Sequence, residues 1–87
     1  MSSRRLVVAP AAERVLGRLP ERVAAAIVEF MVGPLLDDPT KVGKPLQREL
    51  SGYWSARRGS YRVVYRVEGA TVIVVRIEHR ADVYRPR

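Results

Sequence analysis

Hydrophobic and polar positions alternate most regularly from Tyr61 to Glu68, YRVVYRVE, and that period of two predicts a β-strand. Tyr61, Val63, Tyr65 and Val67 point to one face, Arg62, Val64 and Arg66 to the other. The stretch Thr71 to Arg80, TVIVVRIEHR, reads as a second strand, with Ile73, Val75 and Ile77 on a helix-covered face and Val74, Arg76, Glu78 and Arg80 on the opposite one. Tyr53 to Arg58 precedes them as a third strand, and the short links Gly59-Ser60 and Gly69-Ala70 imply an antiparallel meander.

Upstream the period changes. Leu6 to Val8 reads as a short first strand, and Pro10 stands where a helix can begin, its ring pre-setting the dihedral. Val15, Leu16 and Leu19 then fall at helical spacing within Ala11 to Leu19. Pro20-Glu21 opens a second helix whose Val23, Ile27, Phe30 and Met31 form an apolar stripe. Gly33-Pro34 is expected to kink or end it, with Leu35 and Leu36 continuing for a turn before Asp37-Asp38-Pro39. Residues 40–52, TKVGKPLQRELSG, read as an exposed basic connection. The order β-α-α-β-β-β predicts an α+β fold, a helical hairpin packed on one face of a small, mainly antiparallel sheet. At 87 residues a single domain over residues 1–87 is expected.

Charge turns this generic domain into one with a polyanionic partner. The net charge is +7, yet residues 1–40 contribute none of it, because five arginines balance five acids. Residues 41–87 hold eleven cations against Glu49, Glu68, Glu78 and Asp82. Arginine makes up 14 of the 16 cations, and its planar fork pairs with phosphate bidentately and stays charged at any physiological pH. A surface tuned for solubility alone would not confine the excess to one half, so nucleic acid is the default partner. With no cysteine there is no disulfide scaffold, thiol nucleophile or cysteine zinc site, and the one histidine furnishes no metal cage. A metal-free, cofactor-free, cytoplasmic protein is expected. No apolar run suits a signal peptide or a spanning helix, so no membrane partner is expected.

Placed on the strands, Arg62, Arg66, Arg76 and Arg80 project from the uncovered face of the sheet, with Arg57 or Arg58 at its edge. Lys44 in the basic connection joins them as an RNA-binding candidate. Like charges on neighbouring strands destabilise one another, so such a face needs relief from a bound anion or from Glu68 and Glu78. His79 and Tyr84 lie close to Arg80 in HRADVY, and both types handle protons. Arginines around a scissile phosphate stabilise a pentacovalent transition state, while an ionisable neighbour transfers protons. That set suffices for metal-free RNA cleavage by the ribose 2′-hydroxyl. His79 also reads as a strand-end residue on the helix side, and Tyr84 as packing of the C-terminal tail. Of the aromatics able to stack bases, Tyr61 and Tyr65 read as core, leaving Tyr53 and Trp54.

SARRGSYRVVYRV followed by VIVVRIEHRADVY resembles the RelE/ParE superfamily of toxins from bacterial type II toxin–antitoxin modules, RelE-type toxins of actinobacteria in particular. The likeness runs from the helical hairpin through VGKPLQREL to the final tyrosine. It implies a ribosome-dependent endoribonuclease, an mRNA interferase that cuts mRNA in the A site by 2′-hydroxyl attack and leaves a cyclic phosphate. It also implies a cognate antitoxin, RelB- or Phd-like, that wraps the toxin and blocks the site. By matching positions, Arg62 corresponds to the arginine that stabilises the transition state. Arg80 corresponds to a second phosphate-contacting arginine at the leaving group, and Tyr84 to the near-terminal tyrosine at the nucleophile. A related group resembling YoeB uses a late histidine, which adds His79. The departure is in the preceding strand, where the family pattern has two lysines and this chain has Tyr53 and Ser55. The general base therefore stays open among Tyr84, His79, Arg57 and Glu78. Two alternatives remain beside the nuclease: a ParE-like gyrase inhibitor, and a catalytically degenerate homologue that binds RNA or antitoxin only.

Overall fold

The computed structural model describes residues 4–79. Its strands are β1 (Arg5–Val8), β2 (Lys44–Pro45), β3 (Trp54–Arg58), β4 (Tyr61–Glu68) and β5 (Thr71–His79), in one sheet of order β1-β5-β4-β3-β2. β1 runs parallel to β5 and the other pairings are antiparallel. The mixed sheet and its helical layer are the α+β arrangement that the periodicities predict. β2 is an addition within the presumed connection: two residues, one of them Pro45, offer no alternation to read. A short 3₁₀ turn, Arg48–Leu50, follows it.

Helix α1 (Pro10–Arg18) starts on Pro10, with Glu13 in its first turn and Arg18 in its last, charges that complement the helix dipole. Helix α2 (Glu21–Phe30) does not stop at Gly33-Pro34. It runs on through a π-helical turn, Met31–Leu35. Pro34 has no N–H for the normal ladder, and the widened turn accommodates it. Arg4 secures the far end, donating from Nη1 to the carbonyls of Leu36 and Asp37 at 2.8 Å each. Cations are favourable at helix C-termini, where carbonyls lack intrahelical partners.

The core joins Ala12, Ile27, Met31 and Leu35 of the helical layer to Ala56, Val63, Tyr65, Val72, Val74 and Ile77 of the sheet. Fully buried side chains such as Val63, Val72 and Val74 stabilise the fold by about 1.5–3 kcal/mol each. The placement of Val74 corrects the sequence reading. β4 and β5 pair Val64 with Arg76 but Tyr65 with Val74, so Val75 is an extra residue, a β-bulge. The bulge resets the alternation. Val72 and Val74 turn inward before it and Ile77 after it, whereas Ile73 and Val75, expected inside, are only partly buried and lie outside the core cluster.

Candidate nucleic-acid interface

The sheet face turned away from α1 and α2, the outer face, is built in rows by the strand register. Lys44, Ser55, Val64 and Arg76 stand opposite one another across β2, β3, β4 and β5. Arg57, Arg62 and Glu78 form the next row. Arg66, Ile73 and Val7 form a third. Five of the proposed cations, Lys44, Arg57, Arg62, Arg66 and Arg76, thus share one face. Arg5, opposite Thr71, is on it as well. Sequence reasoning missed Arg5 because the first strand was begun at Leu6, and a four-residue strand offers too little alternation to find its start.

Two carboxylates relieve the repulsion, as the charge pattern required. Glu78 Oε1 lies 2.9 Å from Arg62 Nη2, and its Oε2 lies 3.3 Å from Arg76 Nη1. Arg66 Nε lies 2.9 Å from Glu68 Oε2, an ion pair whose angle is too poor for a hydrogen bond. Arg57, directly across from Arg62, has no carboxylate opposite it on β4. The centre of the face is thus a half-buried Arg62 held by Glu78, flanked by cations on the neighbouring strands. Chemically, guanidinium donors grouped in a partly desolvated setting can bind an anion's oxygens.

Lys44 is positioned from beneath. Tyr65 is fully buried and donates its hydroxyl to the Pro39 carbonyl at 2.5 Å. Burial pushes its phenol up to about 12. Gly43 passes directly against that hydroxyl: a Cβ there would run into Tyr65 Oη and lie 2.8 Å from the Ser55 carbonyl oxygen. The close approach brings β2 alongside β3. Position 55, where the family resemblance leads one to expect lysine, carries serine, but the strand beside it places Lys44 opposite. Tyr53 is half-buried just before β3.

Two proposed residues lie elsewhere. Arg58 pairs with Tyr61, so it faces the helix side and lines a groove of about 310 Å³ with Arg22, Val23 and Ile27. His79 also pairs with Tyr61, their rings edge-to-face with centroids 5.0 Å apart. It lines a second helix-side groove of about 440 Å³ with Val15 and Leu19. The strand-end reading therefore describes where His79 sits. Arg80 and Tyr84 lie outside the described residues. Among the described residues, no group of three His, Cys, Asp or Glu is placed to hold a metal ion. No helix among them is long and apolar enough to cross a membrane.

A family model described as the ParE toxin of the type II toxin–antitoxin system, parDE, matches residues 6–84. The chain belongs to this toxin family. Within it, the RelE-like members are near relatives: Toxin RelG of Mycobacterium tuberculosis is 55% identical over 76 residues, 85% of this chain and 87% of that protein. Toxin RelE of the same organism is 51% identical over 76 residues, covering 85% and 78%. The crystal structure of the toxin–antitoxin complex RelBE2 from M. tuberculosis superposes with a TM-score of 0.84 at 47% identity, covering 88% of this chain and 98% of that one. The intact RelBE complex of E. coli superposes at 0.72 with 21% identity, covering 88% and 96%, a likeness of fold. The RelE-type toxin read from GSYRVVYRV and HRADVY is therefore established as the family of this chain.

Proposed function

We propose that this toxin is a ribosome-dependent endoribonuclease that cleaves mRNA in the A site and so stops translation. The observation that carries the reading is the assembly of Lys44, Arg57, Arg62, Arg66 and Arg76 on one sheet face, in a chain 55% and 51% identical to Toxin RelG and Toxin RelE. The ribose 2′-hydroxyl attacks the adjacent phosphorus and gives up its proton to a base. The bond to the 5′-oxygen breaks, that oxygen takes a proton, and a 2′,3′-cyclic phosphate remains. Arg62 opposes the charge that builds on the non-bridging oxygens. By family resemblance Arg80 acts at the leaving group and Tyr84 at the nucleophile. His79, next to Arg80 in the chain, stands as a further proton-transfer candidate, and Lys44 supplies a cation in the row of Ser55. Arg58, on the helix side of the hairpin, reaches RNA only around the sheet edge.

The reading includes a RelB- or Phd-like antitoxin, with an acidic, amphipathic segment to complement the +7 toxin. It also places the protein in the cytoplasm, where ribosomes are. A second reading, a gyrase inhibitor, is favoured by one observation, that the matching family model is described by parDE. Induction in cells separates the two. Arrest of protein synthesis before DNA replication, abolished by Arg62→Ala, supports the nuclease. Arrest of replication first sinks it.

A further inference from the structure

Glu78 stands among the arginines of the outer face, within ion-pair distance of two of them. It stands directly across from Arg62 in register, and the bulge at Val75 brings Arg76 to the same face. Each carboxylate oxygen takes one guanidinium, Oε1 that of Arg62 at 2.9 Å and Oε2 that of Arg76 at 3.3 Å. One anion offering one oxygen to each of two arginines is also how a phosphodiester presents its two non-bridging oxygens. The Glu78 side chain is 22% exposed and that of Arg62 is 30% exposed, so the pair is screened less than a surface ion pair. Arg62 Nε is buried without a hydrogen-bond partner among the described residues. The carboxylate therefore leaves donor capacity that a further acceptor can use. Glu68, also on this face, contrasts with it: it is 59% exposed at the end of β4 and, among the described residues, its one ion pair is with Arg66.

We propose that Glu78 is an internal occupant of the phosphate site. It holds Arg62 and Arg76 at the spacing of one two-oxygen anion, and an RNA phosphodiester binds by taking the carboxylate's place. The assignment rests on the outer face being the RNA-binding surface. Glu78 is then a positioning residue with two opposing effects. It presets the two guanidiniums, which favours the reaction, and it competes with the substrate, which weakens binding. Removing the carboxylate should separate these effects, tightening binding while slowing cleavage of what is bound.

The test uses the full chain and a 2′-O-methyl oligoribonucleotide, which carries phosphodiesters but cannot undergo 2′-hydroxyl attack. Glu78→Gln should tighten its binding by about tenfold, since two charge-assisted contacts no longer have to be displaced. Glu68→Gln removes the same charge from an exposed pair on the same face and should tighten binding by only about twofold. On programmed ribosomes Glu78→Gln should lower both KM and kcat, and Glu78→Asp should restore part of each. Equal tightening by the two Gln variants overturns the assignment, as does weaker binding by a Glu78→Gln protein that melts like wild type. Should Glu78→Gln not fold, Arg76→Ala, at a side chain 66% exposed, should weaken binding more than Arg66→Ala; equal losses overturn the proposal. A wild type that never cleaves on ribosomes, with the Glu78-specific tightening still present, would sink the nuclease reading and leave the phosphate site supported.

Discussion

Replacing Gly43 by alanine should destabilise the fold far more than a loop substitution normally does. The backbone at Gly43 is not left-handed, so alanine there tests space alone. The new Cβ meets Tyr65 Oη and the Ser55 carbonyl oxygen, the latter at 2.8 Å. Tyr65 has no room to retreat, being fully buried and bonded to the Pro39 carbonyl. If its hydroxyl gives way, a buried donor loses its partner at about 1–3 kcal/mol. If β2 gives way instead, the strain is that of an overpacked core, about 1–3 kcal/mol. Whichever side yields, or if both share the strain, the loss is about 1–3 kcal/mol. With unfolding entropy near 2.1 cal/mol/K per residue, each kcal/mol moves Tm by about 5 °C in a chain of 87 residues, so Tm should fall by about 5–15 °C. Thermal unfolding followed by circular dichroism measures it, on Gly43→Ala, Tyr65→Phe and the double variant. Gly43→Ala should do less harm in the Tyr65→Phe background, because the hydroxyl it strikes is gone. A Tm within about 2 °C of wild type, or the same loss in both backgrounds, would refute this packing argument.

Further expectations concern pH, salt and the helix end. The folded phenol of Tyr65 titrates near 12 against 10.0 for the unfolded chain, so its contribution to stability is fully present below pH 10 and is lost as pH rises toward 12. Denaturant titrations between these values should show a slope that Tyr65→Phe removes; an unchanged slope would place the group in ordinary solvent. Binding of single-stranded RNA should fall with salt at a log–log slope of about −3 to −4 if Lys44, Arg57, Arg62, Arg66 and Arg76 each meet a phosphate. A flat response would mean that RNA binds elsewhere. Arg4→Ala strips the carbonyls of Leu36 and Asp37 of their shared donor, and urea unfolding should show a loss of about 1–2 kcal/mol; no loss would make the contact incidental.

The period of two in YRVVYRV carried real positional information. Tyr61, Val63, Tyr65 and Val67 do pack toward the helices, and Arg62 and Arg66 do face outward. The same rule misplaced Ile73 and Val75, because a bulge in a continuous apolar run leaves no glycine or proline to mark it. Arg76 and Glu78 kept their expected face only because both lie beyond the bulge, in phase with Ile77. β2 escaped notice for a different reason: its two residues are held by the fit of Gly43 against Tyr65, a contact between segments far apart in sequence. The cationic face was thus legible from alternation and charge. The direct opposition of Glu78 to Arg62 was not, since it depends on strand register. For His79 the sequence left two readings side by side, and the pairing with Tyr61 puts the ring on the helix side.

The most direct test of the nuclease reading is primer extension on a defined mRNA, with and without programmed ribosomes, using wild type and Arg62→Ala. Cleavage only in the presence of ribosomes, reduced by about 100-fold or more in the variant, is the expected result for a guanidinium that stabilises transition-state charge. Undiminished cleavage by Arg62→Ala, or none by folded wild type under either condition, would contradict it.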